Sequence, residues 1–335
     1  MKCNNCGKLL NFPQAVLDQL ANCPFCNAVL EQNRERSIAA YFSEFGDDIF
    51  CYENRLNLFD VIRKISDEFS KEKNILTLLW SLEIPSLFYE VKCNPEKNII
   101  CLSKAVKHLI VDNAISFKKA NEMMSFLQRI MHLDNLMNYI DPRDGHVYKI
   151  SIIGKNIWFA ENLSYDALGS KVYDNKDANE KKYGRLYDFK TAQKACPSGW
   201  RLPSKQEYCN LISVMLSLGE FVDDAPDTNI LDMNGVEFED HWKKLDIDNC
   251  TDGYFEKGFE EFKPIPGGYL NSEGKTRGMG EYAYYWTSSR NPHIESDCYA
   301  LEISNPSSVF RKSACIASKE DNCCLSVRCV WNENC

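Results

Sequence analysis

The chain has 335 residues, is 44% hydrophobic and 26% charged, and carries a formal net charge of −9. That is long enough for two or three domains, each with its own core. An acidic chain without a basic run lacks the cationic face that displaces counterions from phosphates, so nucleic acid is excluded as the expected partner. No stretch approaches the roughly 20 apolar residues that span a bilayer, and the opening MKCNNCGKLLNF does not read as a secretory signal. The expectation is therefore a cytoplasmic protein with no membrane insertion.

In chain order, Cys3-x2-Cys6 and Cys23-x2-Cys26 come first, and Gly7 and Pro24 suit knuckle turns. Two such knuckles bring four thiolates to one tetrahedral centre, the ligand set Zn²⁺ favours at about 2.3 Å per sulfur. Four thiolates fill the coordination sphere. Residues 1–32 are thus expected to form a zinc ribbon, with Zn structural rather than catalytic, in a unit too small to hold a core alone. A disulfide pair or an iron site is the competing reading.

Residues 33–141 read as a helical domain of four to six helices. Leu56, Phe59, Ile62, Ile65 and Phe69 recur at helical spacing, as do Ala114, Phe117, Met124, Leu127 and Met131. Pro85 and Cys93-Asn94-Pro95 punctuate the middle. Glycine marks the next boundary. Only Gly7 and Gly46 precede Gly145, and the other fourteen of the 16 follow from there on. Gly-poor sequence suits helices; Gly- and aromatic-rich sequence suits short strands and turns. The turn-forming run Asp141-Pro142-Arg143-Asp144-Gly145 separates the two regimes.

Beyond it, Val147–Gly154 and Asn156–Ala160 alternate as a β-hairpin. GRLYDFKTAQKACPSGWRLPSKQEY, residues 184–208, reads as a strand or turn, a short helix, a corner and a second helix. Ser204 and Glu207 have the spacing of a capping box, and Tyr208, Leu211, Ile212, Met215 and Leu216 follow on one helical face. Trp158, Trp200 and Trp286 read as core. The segment from Leu218 to Glu261 reads as an acidic insertion.

The stretch at 184–208, the hairpin with Ala160-Glu161-Asn162-Leu163, and the downstream Gly267-Gly268-Tyr269, Tyr285-Trp286-Thr287-Ser288-Ser289 and Ser326-Val327-Arg328-Cys329-Val330 agree in order and spacing with one family. The chain resembles the Fibrobacter succinogenes major paralogous domain over about residues 146–331. That family is a bacterial branch of the C-type-lectin-like fold, related to the formylglycine-generating-enzyme group. With the zinc ribbon 1–32 and the helical domain 33–141 read above, the resemblance implies a multidomain α+β protein ending in a C-type-lectin-like domain, 145–335. It also implies that Cys196 and Cys329 lie close together, bonded or not, and that the last strand lies beside the first.

In lectin-like folds the C-terminal half faces the ligand. Residues 282–311 are rich in Tyr, Ser, Asn and Arg, the residue types of adaptable binding surfaces. Tyr282, Tyr284, Arg290, Asn291, His293, Tyr299, Asn305, Phe310 and Arg311 are the candidate ligand-binding residues. The expected function is a non-enzymatic binding protein for a protein or glycan ligand, with the ribbon and helices for docking. An oxidase or protein-modifying enzyme on the related scaffold is the alternative, and a pure scaffold protein a third. No catalytic residue is nominated: the five His are scattered, and Cys298, Cys315 and Cys323 do not sit in the enzyme family's motif. A calcium site is not expected, since Asn291-Pro292 lacks an acidic neighbour and Glu320-Asp321-Asn322 is one short triplet.

Overall fold

The computed structural model describes residues 31–218, 253–255, 262–304 and 312–332. Cys3, Cys6, Cys23 and Cys26 lie outside these, as do Asn305, Phe310, Arg311 and most of the segment read as an insertion. The chain divides into two compact units, Met1–Met137 and Asn138–Cys335. Helix and antiparallel sheet are both present, so the class is α+β. No described helix is long and apolar enough to cross a membrane.

Six α-helices are described in the first unit: α1 Glu31–Ser43, α2 Arg55–Lys64, α3 Ser70–Ser81, α4 Ile84–Cys93, α5 Asn98–Val106 and α6 Phe117–Ile130. Their apolar stripes form the core, with Leu58, Val61, Ile62, Leu76, Leu79, Phe88, Leu102 and Leu127 all buried. Two register details differ from the sequence reading. The stripe on α2 runs through Leu58 rather than Leu56, which is 69% exposed. α6 starts after Ser116, whose hydroxyl accepts from the Lys119 N–H; Ala114 lies ahead of the helix in a left-handed conformation (φ 51°). Pro85 opens α4 instead of ending a helix, because a first-turn residue has no intrahelical N–H bond to lose.

The second unit begins one strand earlier than glycine usage suggests. β1 (Asn138–Ile140) pairs with β2 (Val147–Ile153), and the Asp141–Gly145 run is the turn between them. Asp141 is fully buried there. Its carboxylate accepts the Arg143 backbone N–H at 3.0 Å and a bidentate pair from the Arg143 guanidinium. Arg143 also donates to the Ala195 carbonyl at 2.8 Å and lies 3.7 Å over the Tyr165 ring.

β2 continues into β3 (Asn156–Phe159) as the hairpin the alternation predicts, in register Ile153↔Asn156. Gly154 supplies the left-handed corner (φ 59°). The closing strand β11 (Val330–Trp331) then inserts between β3 and the short β4 (Trp200–Arg201). The five-stranded order is β1-β2-β3-β11-β4. The unit's last strand thus shares a sheet with its opening hairpin.

A second sheet has the order β5-β10-β9-β8: Gly253–Phe255, Lys312–Glu320, Asp297–Ser304 and Tyr282–Arg290. A two-stranded ribbon, β6 (Tyr269–Leu270) and β7 (Thr276–Arg277), stands beside it. The main core lies between the two larger sheets and the helix Lys205–Leu218. It collects Trp158, Tyr208, Leu211, Ile212, Phe262, Tyr285, Tyr299, Leu301 and Val330. The capping box at that helix is formed: the Ser204 N–H donates to Glu207 Oε2 at 2.8 Å and the Glu207 N–H to Ser204 Oγ at 3.2 Å. Burial raises the Glu207 carboxyl's pKa, but the Arg201 guanidinium and the Ser204 N–H and hydroxyl together outweigh it and hold the group below its ordinary value. Trp158, Trp200 and Trp286 are all buried.

Candidate functional site

Strand alternation sorts residues 282–304 onto two faces. On β8, Ala283 and Tyr285 point into the main core; on β9, Tyr299, Leu301 and Ile303 do the same. The opposite parity carries Tyr282 and Tyr284, with Glu302 directly across from Tyr284. Tyr299 therefore cannot share a surface with Tyr282 and Tyr284. It is 5% exposed and covered by the Lys205 ammonium 4.1 Å above its ring.

The end of β8 and the turn after it hold three more predicted residues. Asn291 is buried; its amide donates to Ser318 Oγ at 3.1 Å and its Oδ1 accepts the His293 N–H at 2.9 Å. Arg290 pairs with Asp321 at 3.3 Å and lies over the Phe189 ring. His293 is exposed. Of the nine predicted residues, the structure thus brings Tyr282 and Tyr284 together on one face. Arg290, Asn291 and His293 sit together at the end of β8, and Asn305, Phe310 and Arg311 lie outside the described residues.

Two residues not nominated from sequence complete the tyrosine face. Tyr269 of β6 meets Tyr284 edge-on at 4.8 Å between ring centroids, and Tyr282 stacks on Tyr284 at 5.9 Å. Lys319 of β10 places its ammonium 4.4 Å over the Tyr284 ring and 5.0 Å over that of Tyr269, with Glu302 at 3.9 Å. Burial, and then the Glu302 carboxylate, push the Tyr284 phenol well above its ordinary value, so it stays a neutral donor at physiological pH. Tyr269, Tyr282, Glu302 and Lys319 remain half-exposed. The result is a flat patch of hydroxyls, ring edges and one charge pair. Tyr269 was visible in the sequence as part of Gly267-Gly268-Tyr269, but that motif reads as structure. Gly268 is left-handed (φ 66°), and a Cβ there would come within 2.3 Å of the Arg277 carbonyl oxygen. Nothing in the local sequence of β10 marks Lys319.

The ribbon also walls a cleft on its other side. Leu270 turns away from the tyrosines onto a small apolar cluster of Tyr173, Leu186, Cys324 and Met279. Above it lies a cavity of about 720 Å³ between residues 170–175 and the ribbon.

Cys196 and Cys329 are joined by a disulfide, Cα atoms 5.9 Å apart. Burial pushes Cys298 and Cys324 each up to about 11 and raises Cys323.

The second unit is an α+β domain whose last strand joins the sheet of its opening hairpin and which presents polar, aromatic surfaces. Residues 152–331, more than half of the chain, match the model of the Fibrobacter succinogenes major domain, and the chain belongs to that family. No curated protein and no solved structure gives a significant match.

Proposed function

We propose that the protein is a non-enzymatic binding protein whose second unit is a C-type-lectin-like domain recognising a protein ligand. The observation that carries this reading is the half-exposed face of Tyr269, Tyr282, Glu302 and Lys319, packed around the buried Tyr284 ring. Tyrosine with an adjacent charge pair on a flat surface is the composition of protein-binding patches. A sugar would stack on a free ring face. The faces of Tyr284 are already taken by Tyr282 and Lys319, which favours the protein reading over the glycan one. The lectin-like assignment is supported by the last strand lying beside the opening hairpin and by the Cys196–Cys329 bond. An oxidase would need a thiolate, and burial works against one at Cys298 and Cys324.

The test is comparative capture on the full immobilised chain, beside a glycan array. Tyr282→Ala and Lys319→Glu alter side chains that are not fully buried, so the fold should persist. A protein enriched by the unaltered chain should be lost at least about thirtyfold with either variant, the effect of removing a residue worth about 2 kcal/mol. Equal capture by all three chains sinks the proposal, as does a glycan hit abolished by the same substitutions.

The same reading assigns Cys3, Cys6, Cys23 and Cys26 to a structural zinc that supports a docking element in a cytoplasmic protein. Elemental analysis should find one zinc per chain, lost in Cys23→Ser. A metal-free chain, or iron in its place, refutes this part alone.

A further inference from the structure

We infer that Arg277 extends the tyrosine face and anchors one carboxylate there, so that the protein partner presents a segment with a single Asp or Glu at a fixed position. The inference rests on the binding role proposed for that face and names the chemistry of its partner.

The β6–β7 register sets Arg277 directly opposite Tyr269, and opposed residues of an antiparallel pair share a face. Arg277 therefore stands with Tyr269, on the side of the ribbon away from Leu270 and Thr276. Gly278 follows in a left-handed conformation (φ 67°), and a Cβ there would come within 2.9 Å of Tyr282 Cδ2. The Tyr282 N–H also donates to the Gly278 carbonyl at 2.9 Å. The segment that carries Arg277 is thus pressed against Tyr282 as well. Burial holds the Tyr269 phenol above its ordinary value, so it stays a donor; Arg277 acts against that shift, which puts the guanidinium within electrostatic reach of the hydroxyl.

The charges on this face are not equally available. Lys319 and Glu302 lie 3.9 Å apart, and the Lys319 ammonium is held over the rings of Tyr284 and Tyr269. Arg277 is exposed and has no carboxylate at ion-pair distance among the described residues. Its one hydrogen bond runs from Nη1 to the Thr276 carbonyl at 3.1 Å, which leaves the edge formed by Nε and Nη2 open. Two parallel N–H groups on such an edge match one carboxylate. A phosphate dianion fits less well. It brings a second charge that no second unpaired cation meets, and Glu302 lies on the same face. The net charge of −9 gives an acidic partner no long-range attraction to the chain as a whole. Recognition is therefore of one acidic position, with apolar or aromatic neighbours against Tyr269 and Tyr282, rather than of a polyanion.

The experiment selects displayed random peptides on the full immobilised chain, beside the Arg277→Glu chain and with polyglutamate as a further probe. Peptides held by the unaltered chain alone should share one Asp or Glu. Their affinity should fall about tenfold or more when that acid becomes Asn or Gln, and equally with Arg277→Ala. Changing the acid to Lys should restore part of the binding to the Arg277→Glu chain. Arg277 is exposed, so both variants should keep the unaltered melting temperature. The inference is overturned if no peptide distinguishes the two chains, if the selected peptides share no acid, or if polyglutamate binds as tightly as they do. A captured protein that is lost with Tyr282→Ala but kept by Arg277→Glu overturns it too, and leaves the face as a binding surface. One kept by both variants removes the face itself.

Discussion

Arg328→Lys is expected to destabilise the second unit by about 3–5 kcal/mol, more than Arg328→Met does. Arg328 is fully buried, yet no carboxylate neutralises it among the described residues. Its guanidinium is solvated by neutral oxygens from two segments, 159–162 and 262–263. Nε donates to Asn162 Oδ1 at 2.9 Å; Nη1 donates to the carbonyls of Phe262 at 2.7 Å and Phe159 at 3.2 Å; Nη2 donates to the Lys263 carbonyl at 2.7 Å. Phe262 and Tyr285 lend their ring faces at 4.7 and 5.2 Å. Asn162 in turn donates to Ser326 Oγ and to the Tyr183 carbonyl. A lysine keeps the charge but is a compact ammonium that cannot reach four acceptors spread over two segments, so a charge stays buried and under-solvated. A methionine removes the charge and leaves carbonyls unpaired, at about 1–3 kcal/mol for each that finds no water. Urea unfolding followed by tryptophan fluorescence checks both variants, since Trp158 and Trp286 are core residues of this unit. A midpoint for Arg328→Lys equal to that of the unaltered chain would show that the guanidinium is not what joins these segments.

This network also marks the limit of what the sequence makes legible. Ser326-Val327-Arg328-Cys329-Val330 reads as a closing strand, and the strand is there, but the charged residue at its centre gives no hint that it is buried. Its acceptors come from Asn162 and from Phe262–Lys263, segments 166 and 66 residues away in the chain. Local signals fared better. The Ser204–Glu207 cap, the Gly154 corner and the apolar face at Tyr208, Leu211 and Ile212 each depend on residues within about one turn of one another, and each is in place. Helical periodicity began the α2 stripe at Leu56, although Leu58 starts an equally plausible one. Packing selected Leu58. The candidate surface was legible as composition but not as geometry. A run of Tyr, Ser and Asn does not reveal parity, and parity is what sends Tyr299 into the main core while Tyr284 packs on the opposite face of the sheet. Tyr269 and Lys319 joined the face through pairings that no nearby residue announces.

Opening the Cys196–Cys329 bond is expected to lower the stability of the second unit by about 2–5 kcal/mol, or roughly 5–15 °C in melting temperature for a unit of this size. The two cysteines are 133 residues apart, so the bond closes a loop holding most of the unit. In the chain-entropy account a loop of that length is worth about 5 kcal/mol, an upper figure because real unfolded chains retain structure. The native contacts around the bond explain why its loss should be felt. β11 is held by only a few pairings: Val330 against Trp158 and Arg201, and Trp331 against Trp200. The Cys329 carbonyl accepts the Phe159 N–H at 2.9 Å, and the Asn332 N–H donates to the Gly199 carbonyl at 2.9 Å. Gly199 has no room for a side chain, since a Cβ there would meet the Trp331 ring at 2.6 Å. So short a strand fixes the chain end weakly, and the covalent link to the loop before β4 holds it against β3. Cys329 is fully buried, so alanine is the better replacement: serine would add an unpaired hydroxyl. Melting the double Cys196→Ala, Cys329→Ala variant beside the unaltered chain, with and without a thiol reductant, separates the bond from the side chains. The reductant should lower the melting temperature of the unaltered chain toward that of the variant and leave the variant unchanged. Alkylation of both cysteines in the native, unreduced protein, with no shift on adding reductant, would refute the bond and return β11 to its hydrogen bonds alone.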